Sequence, residues 1–256
     1  MDPFTVLISS AGRRVSLLRC FRSSAKALGI GIRVLAVDLR PSLSPACALA
    51  DHCFSAPRCD DPGYVDRLLE LCRREHIDLV VPTIDTELHP LAISRSRFEE
   101  ANCRVCVSDP GAIAVARDKL RFAKSLLGSS LPVPKTARAE EVLHDSSHWS
   151  FPLWVKPIGG SRSVGARRAR TPEEVGLAIQ ERKDLLAQEE CPGQEHTVNL
   201  YISRQGKLLS VAAHRRLEVR DGEVSKGLTV QDPRLSTVSH RLARAIPGLL
   251  GPVCFQ

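Results

Sequence analysis

The hydrophobic positions of the first hundred residues follow two alternating periods. Residues 4–8 and 32–37 are short apolar runs that predict buried strands, and similar runs occur at 78–82 and 104–107. Between the first two runs, Val15, Leu18, Phe21, Ala25 and Leu28 recur at steps of three and four, which predicts a helix that faces a core. Further helices are predicted at 62–76 and 87–100. Strands that alternate with helices through short loops are typical of a doubly wound parallel sheet in an α/β domain.

The pattern changes after about residue 110, where short strands become more frequent. Residues 112–127 predict a helix, in one piece or two, with Asp118-Lys119 inside it. Strands are predicted at 153–156, 166–170, 185–188, 195–203 and 208–214. Thr171-Pro172-Glu173-Glu174 predicts a helix start, because it places an N-cap hydroxyl, a first-turn proline and first-turn acids in order. The second half is therefore predicted to be an α+β region of different architecture.

The loops that follow the predicted parallel strands carry the first candidate ligand groups. Residues 9–14, Asp38 and residues 83–87 should meet at the carboxyl edge of the sheet, where such sheets bind ligands. Gly12-Arg13-Arg14 at a helix start has two interpretations, a site for an anion or a simple turn followed by solvated arginines. The sequence leaves both open. A dinucleotide fingerprint is excluded, because this loop has one glycine where that motif needs three.

Composition limits the function classes. The net charge of +7 invites a nucleic-acid interpretation, but the arginines are scattered and aromatic residues make up only 4% of the chain. Nucleic acid is therefore disfavoured as a partner. The start of the chain lacks the pattern of a signal peptide, and no apolar run is long enough for a membrane span. We expect a cytoplasmic protein with no membrane partner.

Nine cysteines suggest disulfides or a metal only if their spacing supports it. Cys103 and Cys106 form a C-x-x-C pair on a predicted strand, where side chains point to opposite faces and make poor co-ligands. We expect reduced cysteines that act as small hydrophobic residues.

The strongest chemical signal is a lysine on a predicted strand followed by a glycine-rich loop. Lys156 precedes a segment that contains Gly159, Gly160, Ser161, Ser163 and Gly165. Glycines let backbone N–H groups surround phosphate oxygens, and an ammonium adds charge. The lysine comes before the glycines, so this is not the helix-opening phosphate loop. Taken alone, the segment is either a phosphate loop or a glycine-rich hairpin.

Three further features stand in order around this loop: Asp118-Lys119 upstream, Gln188-Glu189-Glu190 downstream, and Glu195 at the start of the next predicted strand. This order resembles the ATP-grasp superfamily, and most closely the ligases similar to the carbamoyl-phosphate synthase large subunit. The opening residues 6–14 resemble the start of that family's N-terminal domain, so the resemblance covers essentially the whole chain.

The resemblance implies a role for each matching residue. Lys119 and Lys156 would reach the ATP phosphates, and residues 159–165 would close over them as a lid. Backbone groups of the segment from Gln188 through Glu189 to Glu190, which we call the hinge, would pair with adenine. Glu195 would accept from the ribose hydroxyls; the alternative, a strand-surface carboxylate, would be preferred if the glycine loop were absent. Arg216 or Lys226 would steady an acyl phosphate or the acid substrate.

The resemblance also implies Mg²⁺, held by a glutamine or glutamate on one strand and a Glu-x-Asn pair on the next. Gln256 matches the first position and is the last residue given. We therefore expect the chain as given to be catalytically incomplete.

The resulting hypothesis has three regions: an α/β domain at 1–115, a lid subdomain at 116–187 and an incomplete second ATP-grasp subdomain at 188–256. The implied activity is an ATP-dependent carboxylate–amine ligase that acts through an acyl phosphate on small carboxylate and amine substrates. A homo-oligomer is compatible with this hypothesis. The alternative is a non-catalytic nucleotide-binding or partner-binding protein of the same fold.

Overall fold

A computed structural model describes residues 2–160, 164–220 and 222–256. The chain forms two compact units, Met1–Pro110 and Gly111–Gln256. None of the helices in the described ranges is long and apolar enough to span a membrane.

The first unit is built on one five-stranded parallel sheet. Its strands are β1 (Phe4–Ile8), β2 (Ile32–Asp38), β3 (His52–Ser55), β4 (Leu79–Val81) and β5 (Arg104–Val105). The strand order is β3-β2-β1-β4-β5, and every neighbouring pair is parallel. The chain therefore winds outward from β1 in one direction and then in the other. This arrangement confirms the predicted doubly wound sheet and places its switch point between β1 and β4.

Five α-helices and a short 3-10 helix (Pro41–Leu43) connect the strands of the first unit; the α-helices are α1 (Val15–Leu28), α2 (Pro45–Leu49), α3 (Tyr64–Glu75), α4 (Asp85–Ile93) and α5 (Arg95–Glu100). Helix α1 ends at Gly29, whose left-handed backbone (φ 68°) only glycine adopts readily. The single helix predicted at 87–100 is instead α4 and α5, which meet at Ser94, where the backbone leaves the helical range.

The core of the first unit explains why its strands are continuous apolar runs. Val6, Leu7 and Ile8 are all fully buried, so both faces of the central strand are covered. The alternation of apolar and polar residues along a strand is absent where neither face of the strand meets water.

One expectation about the cysteines is wrong. Cys47 on α2 and Cys53 on β3 form a disulfide, with a Cα–Cα distance of 5.2 Å. Helix α2 lies in the short connection between the parallel strands β2 and β3 and contacts β3, and spacing alone does not reveal this proximity. The other seven cysteines are free thiols.

The second unit contains two antiparallel sheets. The first has the order β6-β9-β7-β8 and comprises β6 (Thr136–Arg138), β7 (Leu153–Pro157), β8 (Arg167–Ala169) and β9 (Leu185–Glu189). The second has the order β12-β11-β10-β13 and comprises β10 (His196–Ile202), β11 (Leu208–Arg220), β12 (Glu223–Val230) and β13 (Gly251–Phe255).

Each sheet of the second unit packs against its own helices. The helices are α6 (Pro110–Arg117), α7 (Lys119–Ser125), α8 (Ala139–His144), α9 (Pro172–Glu181) and α10 (Pro233–Ala245). One hydrophobic cluster joins the first sheet to α8 and α9, and another joins the second sheet to α6, α7 and α10. The predicted start of α9 is confirmed, since Thr171 accepts from the Glu174 N–H and Pro172 follows it.

Candidate functional site

Lys156 lies on β7 with its ammonium on the face away from the core. Leu153 and Val155 are buried, whereas Trp154 and Lys156 alternate with them on the more exposed face. Because β9 pairs antiparallel with both β7 and β6, it brings Gln188 and Thr136 to the same place. Lys156 Nζ donates to Gln188 Oε1 at 2.7 Å, and Gln188 Nε2 donates to Thr136 Oγ1 at 2.8 Å.

The ammonium of Lys156 is half-buried and is paired with a neutral amide oxygen. Burial lowers the pKa of Lys156 below its ordinary value, and the neighbouring Lys119 ammonium lowers it further, while Cys191 acts in the opposite sense. A second positive charge and reduced access to water both disfavour the charged form. The negative charge of a bound anion would offset both effects by stabilising the charged ammonium, so this environment favours a phosphate or carboxylate ligand.

Lys119 is the first residue of α7, and the start of the glycine loop wraps around it. Its backbone N–H donates to Ile158 O at 3.1 Å. Its Nζ lies 2.9–3.4 Å from four carbonyl oxygens, those of Pro157, Ile158, Gly159 and Gly160. Lys119 therefore shapes the loop directly, in addition to its expected role toward phosphates.

The glycines of the loop meet different demands. Gly160 has φ 88° and Gly165 has φ 75°, conformations that strain any other residue. A Cβ at Gly165 would also come within 3.1 Å of Pro157 Cγ. Gly159 has no comparable constraint. The candidate residues Ser161 and Ser163 lie outside the described residues.

The hinge directly follows the buried part of β9. Glu190 pairs with Arg168 at 2.7 Å, and the Glu189 N–H donates to Lys135 O at 3.0 Å. An open pocket of about 570 Å³ adjoins the hinge and is lined by residues 150–152 and 189–193. Glu189, Glu190 and Cys191 all border this pocket, so the hinge backbone lies beside a space of ligand size.

Glu195, Arg216 and Gln256 come together on the second sheet. Arg216 is only 6% exposed, and its Nε lies 3.2 Å from Glu195 Oε2. With its amide oriented to satisfy both neighbours, Gln256 donates to Glu195 at 3.3 Å and accepts from Arg216 at 2.8 Å. Arg216 also donates to Thr197 Oγ1 and Gly222 O. Three of the candidate residues thus form one network.

Lys226 is placed differently from Arg216. Its side chain is 70% exposed, and its Nζ pairs with Glu218 at 2.7 Å. The ladder between β11 and β12 sets this pair directly across the strands.

The residues present do not by themselves fit a magnesium site. Among the described residues, no group of three or more histidine, cysteine, aspartate or glutamate side chains could hold a metal. The guanidinium of Arg216 also lies against both Glu195 and Gln256, and a cation there opposes a dication.

Thr136 and Cys191 are site residues that the sequence reasoning missed. Thr136 orients the Gln188 amide from β6, and Cys191 borders the pocket beside the hinge. Thr136 acts on a residue 52 positions away, so no local signal identifies it, whereas Cys191 directly follows the hinge.

At the carboxyl edge of the parallel sheet, the expected loops do meet. The Gly12 N–H donates to Asp38 Oδ2 at 2.8 Å, and the Ala11 N–H donates to Val37 O. Gly12 also has φ 44°. Its N–H is thus already engaged, which favours the turn interpretation of Gly12 over the anion interpretation.

The paired antiparallel sheets, with a lysine and a glycine loop on one of them, define a class of protein. Residues 116–254, more than half of the chain, match the model of the ATP-grasp domain, and the chain belongs to this family. Residues 6–106 match the model of the PylC-like N-terminal domain.

Individual relatives match smaller parts. The chain is 34% identical over 99 residues to D-alanine–D-alanine ligase of Gloeobacter violaceus, which is 35% of this chain and 33% of that protein. It is 24% identical over 172 residues to the carbamoyl phosphate synthase large chain of Rubrobacter xylanophilus, 63% of this chain and 16% of that protein. The chain thus spans a third or less of these two relatives.

A solved structure supports the fold over nearly the full length. The biotin carboxylase domain of Hydrogenobacter thermophilus 2-oxoglutarate carboxylase, determined with MgADP, ADP and bicarbonate, superposes with a TM-score of 0.74. The alignment covers 99% of this chain and 60% of that one at 16% identity.

Proposed function

We propose that this chain binds ATP and belongs to an ATP-dependent ligase that joins a small carboxylate to an amine through an acyl phosphate. The observation that carries the nucleotide part is the half-buried Lys156 ammonium, which faces a neutral amide and a second ammonium beside a glycine loop. A phosphate would place negative charge beside the Lys156 ammonium. The ligation step is supported by family membership and by the relatives named above.

The proposed contacts divide between the two sheets of the second unit. Lys156, Lys119 and the glycine loop would hold the phosphates, the hinge backbone would meet adenine, and Glu195 would accept from ribose. ATP would supply the phosphoryl group that activates the carboxylate. Arg216 and Lys226 are the proposed contacts to the acyl phosphate or acid. Lys226 would have to leave Glu218 to act in this way, whereas Arg216 already fixes the position of Glu195.

The test is nucleotide affinity in Lys156 variants. Losing one charged hydrogen bond removes about 1.5–3 kcal/mol, so Lys156→Ala should weaken ATP binding about 10- to 150-fold. Lys156→Arg, which keeps the charge, should retain part of the affinity. The matched control is Lys183→Ala, which removes an exposed lysine from the same unit. Unchanged affinity in a folded Lys156→Ala protein would refute the phosphate assignment.

A second candidate function is nucleotide binding without turnover. It is favoured by the Glu195–Arg216–Gln256 network, in which Gln256, the candidate metal ligand, is hydrogen-bonded to the guanidinium of Arg216. In this case ATP binds with little enhancement by magnesium, and candidate acids cause no phosphate release. Substrate-dependent phosphate release by the 256-residue chain would instead establish the ligase and show that other residues hold the metal.

A further inference from the structure

We infer that the first unit holds a second small-molecule site, which takes a primary amine in its protonated form. The site is a cavity of about 180 Å³ at the carboxyl edge of the parallel sheet, beside its switch point. Ser10 and Cys59 line it from the loops after β1 and β3, Asp38 lines it from the end of β2, and Thr86 lines it from α4. All its lining residues belong to the first unit, so the inference does not depend on the nucleotide proposal.

The wall of this cavity is strained and firmly held. Ser10 has φ 47°, a left-handed conformation that costs a non-glycine residue about 1–2 kcal/mol. Thr83 Oγ1 lies 2.9 Å from Ser9 O and 2.7 Å from Ser10 O, and Ser10 Oγ donates to Glu87 Oε2 at 3.1 Å. Strain that the surroundings maintain is concentrated at ligand and active sites. The wall is therefore preorganised.

Buried Glu87 anchors that wall. Its side chain is 0% exposed and accepts four hydrogen bonds, from Ser10 Oγ, Tyr64 OH and the backbone N–H groups of Thr83 and Ile84. These bonds join the loop after β1, helix α3 and the start of α4. Glu87 thus fixes the cavity and is already satisfied, so it is not the ligand-binding group.

Asp38 supplies the recognition charge. Its two oxygens accept from the Gly12 and Arg40 N–H groups at 2.8 and 3.0 Å. A carboxylate has about four acceptor positions, so further donors can be accommodated. Arg58, which also lines the cavity, forms a two-pronged pair with Asp60 at 3.0 Å, and its charge is balanced there. The remaining charge of the cavity is therefore negative.

The rest of the lining is mainly apolar. Val37, Ala56 and Pro57 suit an alkyl chain, and the volume lies below the usual range for drug-sized ligands. A protonated amine with a short alkyl chain meets both conditions. A carboxylate or phosphate would be repelled by Asp38, and a neutral alcohol would gain only a hydrogen bond to it.

Protection of Cys59 from alkylation tests this assignment. Its thiol lines the cavity, is partly exposed and donates to Thr86 Oγ1 at 3.0 Å. Primary amines from methylamine to hexylamine would be added without nucleotide, and iodoacetamide labelling would be followed by peptide mass spectrometry. At ten times its Kd, a bound amine should slow labelling of Cys59 about tenfold, because only the empty cavity reacts. Exposed Cys20 and Cys191 on the same chain are internal controls whose labelling should not change.

The charge assignment is tested by isosteric probes and by one variant. Butylamine should protect Cys59 far better than butanol, and butyrate should give no protection. Asp38→Asn should abolish protection, whereas Asp51→Asn, a control that also removes a carboxylate accepting a backbone N–H, should leave it intact. Equal protection by all three probes, or no protection by any amine, would overturn the inference even if Asp38→Asn fails to fold. Undiminished protection in a folded Asp38→Asn protein would also overturn it.

Discussion

Glu87 offers a sharp test of how the carboxyl edge of the parallel sheet is held together. Its two oxygens serve different kinds of donor. Oε1 accepts from the backbone N–H groups of Thr83 at 2.6 Å and Ile84 at 3.0 Å, whereas Oε2 accepts from the hydroxyls of Ser10 and Tyr64 at 3.1 and 2.5 Å. Burial and the adjacent Glu87 raise the pKa of Tyr64 well above its ordinary value, so its hydroxyl stays protonated. Backbone N–H groups can only donate, but hydroxyls can also accept.

This asymmetry sets the size of the expected effects. Glu87→Leu leaves two backbone donors without acceptors, at about 1–3 kcal/mol each, so we expect a loss of roughly 3–5 kcal/mol. Glu87→Gln can keep its oxygen on the backbone donors and turn its amide N–H groups toward the hydroxyls. It loses only the charge assistance, so we expect a loss of about 1–1.5 kcal/mol.

Both tryptophans lie in the second unit, so tryptophan fluorescence would not report on the first unit. Native-state hydrogen exchange is therefore the suitable assay for the first unit. Protection of peptides that cover β1 and β4 would be converted into an opening free energy for each variant. Glu100→Leu, at an exposed position on α5, is the control. The reasoning would be refuted if Glu87→Gln lowered protection as much as Glu87→Leu did, or if Glu87→Leu changed it by less than about 1 kcal/mol.

Three further predictions concern pH, orientation and cysteine chemistry. Burial and Lys119 lower the pKa of Lys156, and a bound phosphate would raise it, so ATP affinity should be full below the pKa of Lys156 in the free protein and should fall as the pH rises above it. Titrations of ATP through the alkaline range should show this fall in the wild type but not in Lys156→Arg. A flat wild-type profile would contradict the assignment. Thr136 Oγ1 accepts from Gln188 and donates to Pro134 O at 2.8 Å. Thr136→Val should therefore weaken ATP binding about fivefold, a loss of about 1 kcal/mol, whereas Thr136→Ser should bind ATP like the wild type. Equal weakening by both variants would show that the hydroxyl is not responsible. Peptide mapping without reductant should recover Cys47 linked to Cys53, and buried Cys72 and Cys103 should be alkylated only in denaturant. Separate alkylation of Cys47 and Cys53 in the native protein would disprove the pairing.

The local sequence pattern was sufficient to predict elements whose formation depends on nearby residues. The apolar runs of β1 and β2, the helical spacing from Val15 to Leu28 and the N-cap at Thr171 all depend on neighbours a few residues away. The same reasoning could have found α10, because Asp232 and Pro233 repeat the start signal of α9, and Asp232 accepts from the Arg234 N–H. The lysine and the glycine loop were also evident, since their chemistry lies in one short segment.

Only the tertiary structure decided which side chains meet. Lys156, Gln188 and Thr136 form one hydrogen-bonded chain because β9 lies between β7 and β6 in a particular register, and a shift of one residue would turn Gln188 to the opposite face. Glu87 looks like a solvated helix residue in the sequence, yet it is completely buried because four donors from three segments converge on it. Strand register and the burial of a polar side chain depend on contacts between residues far apart in the chain, and hydrophobic periodicity does not specify those contacts.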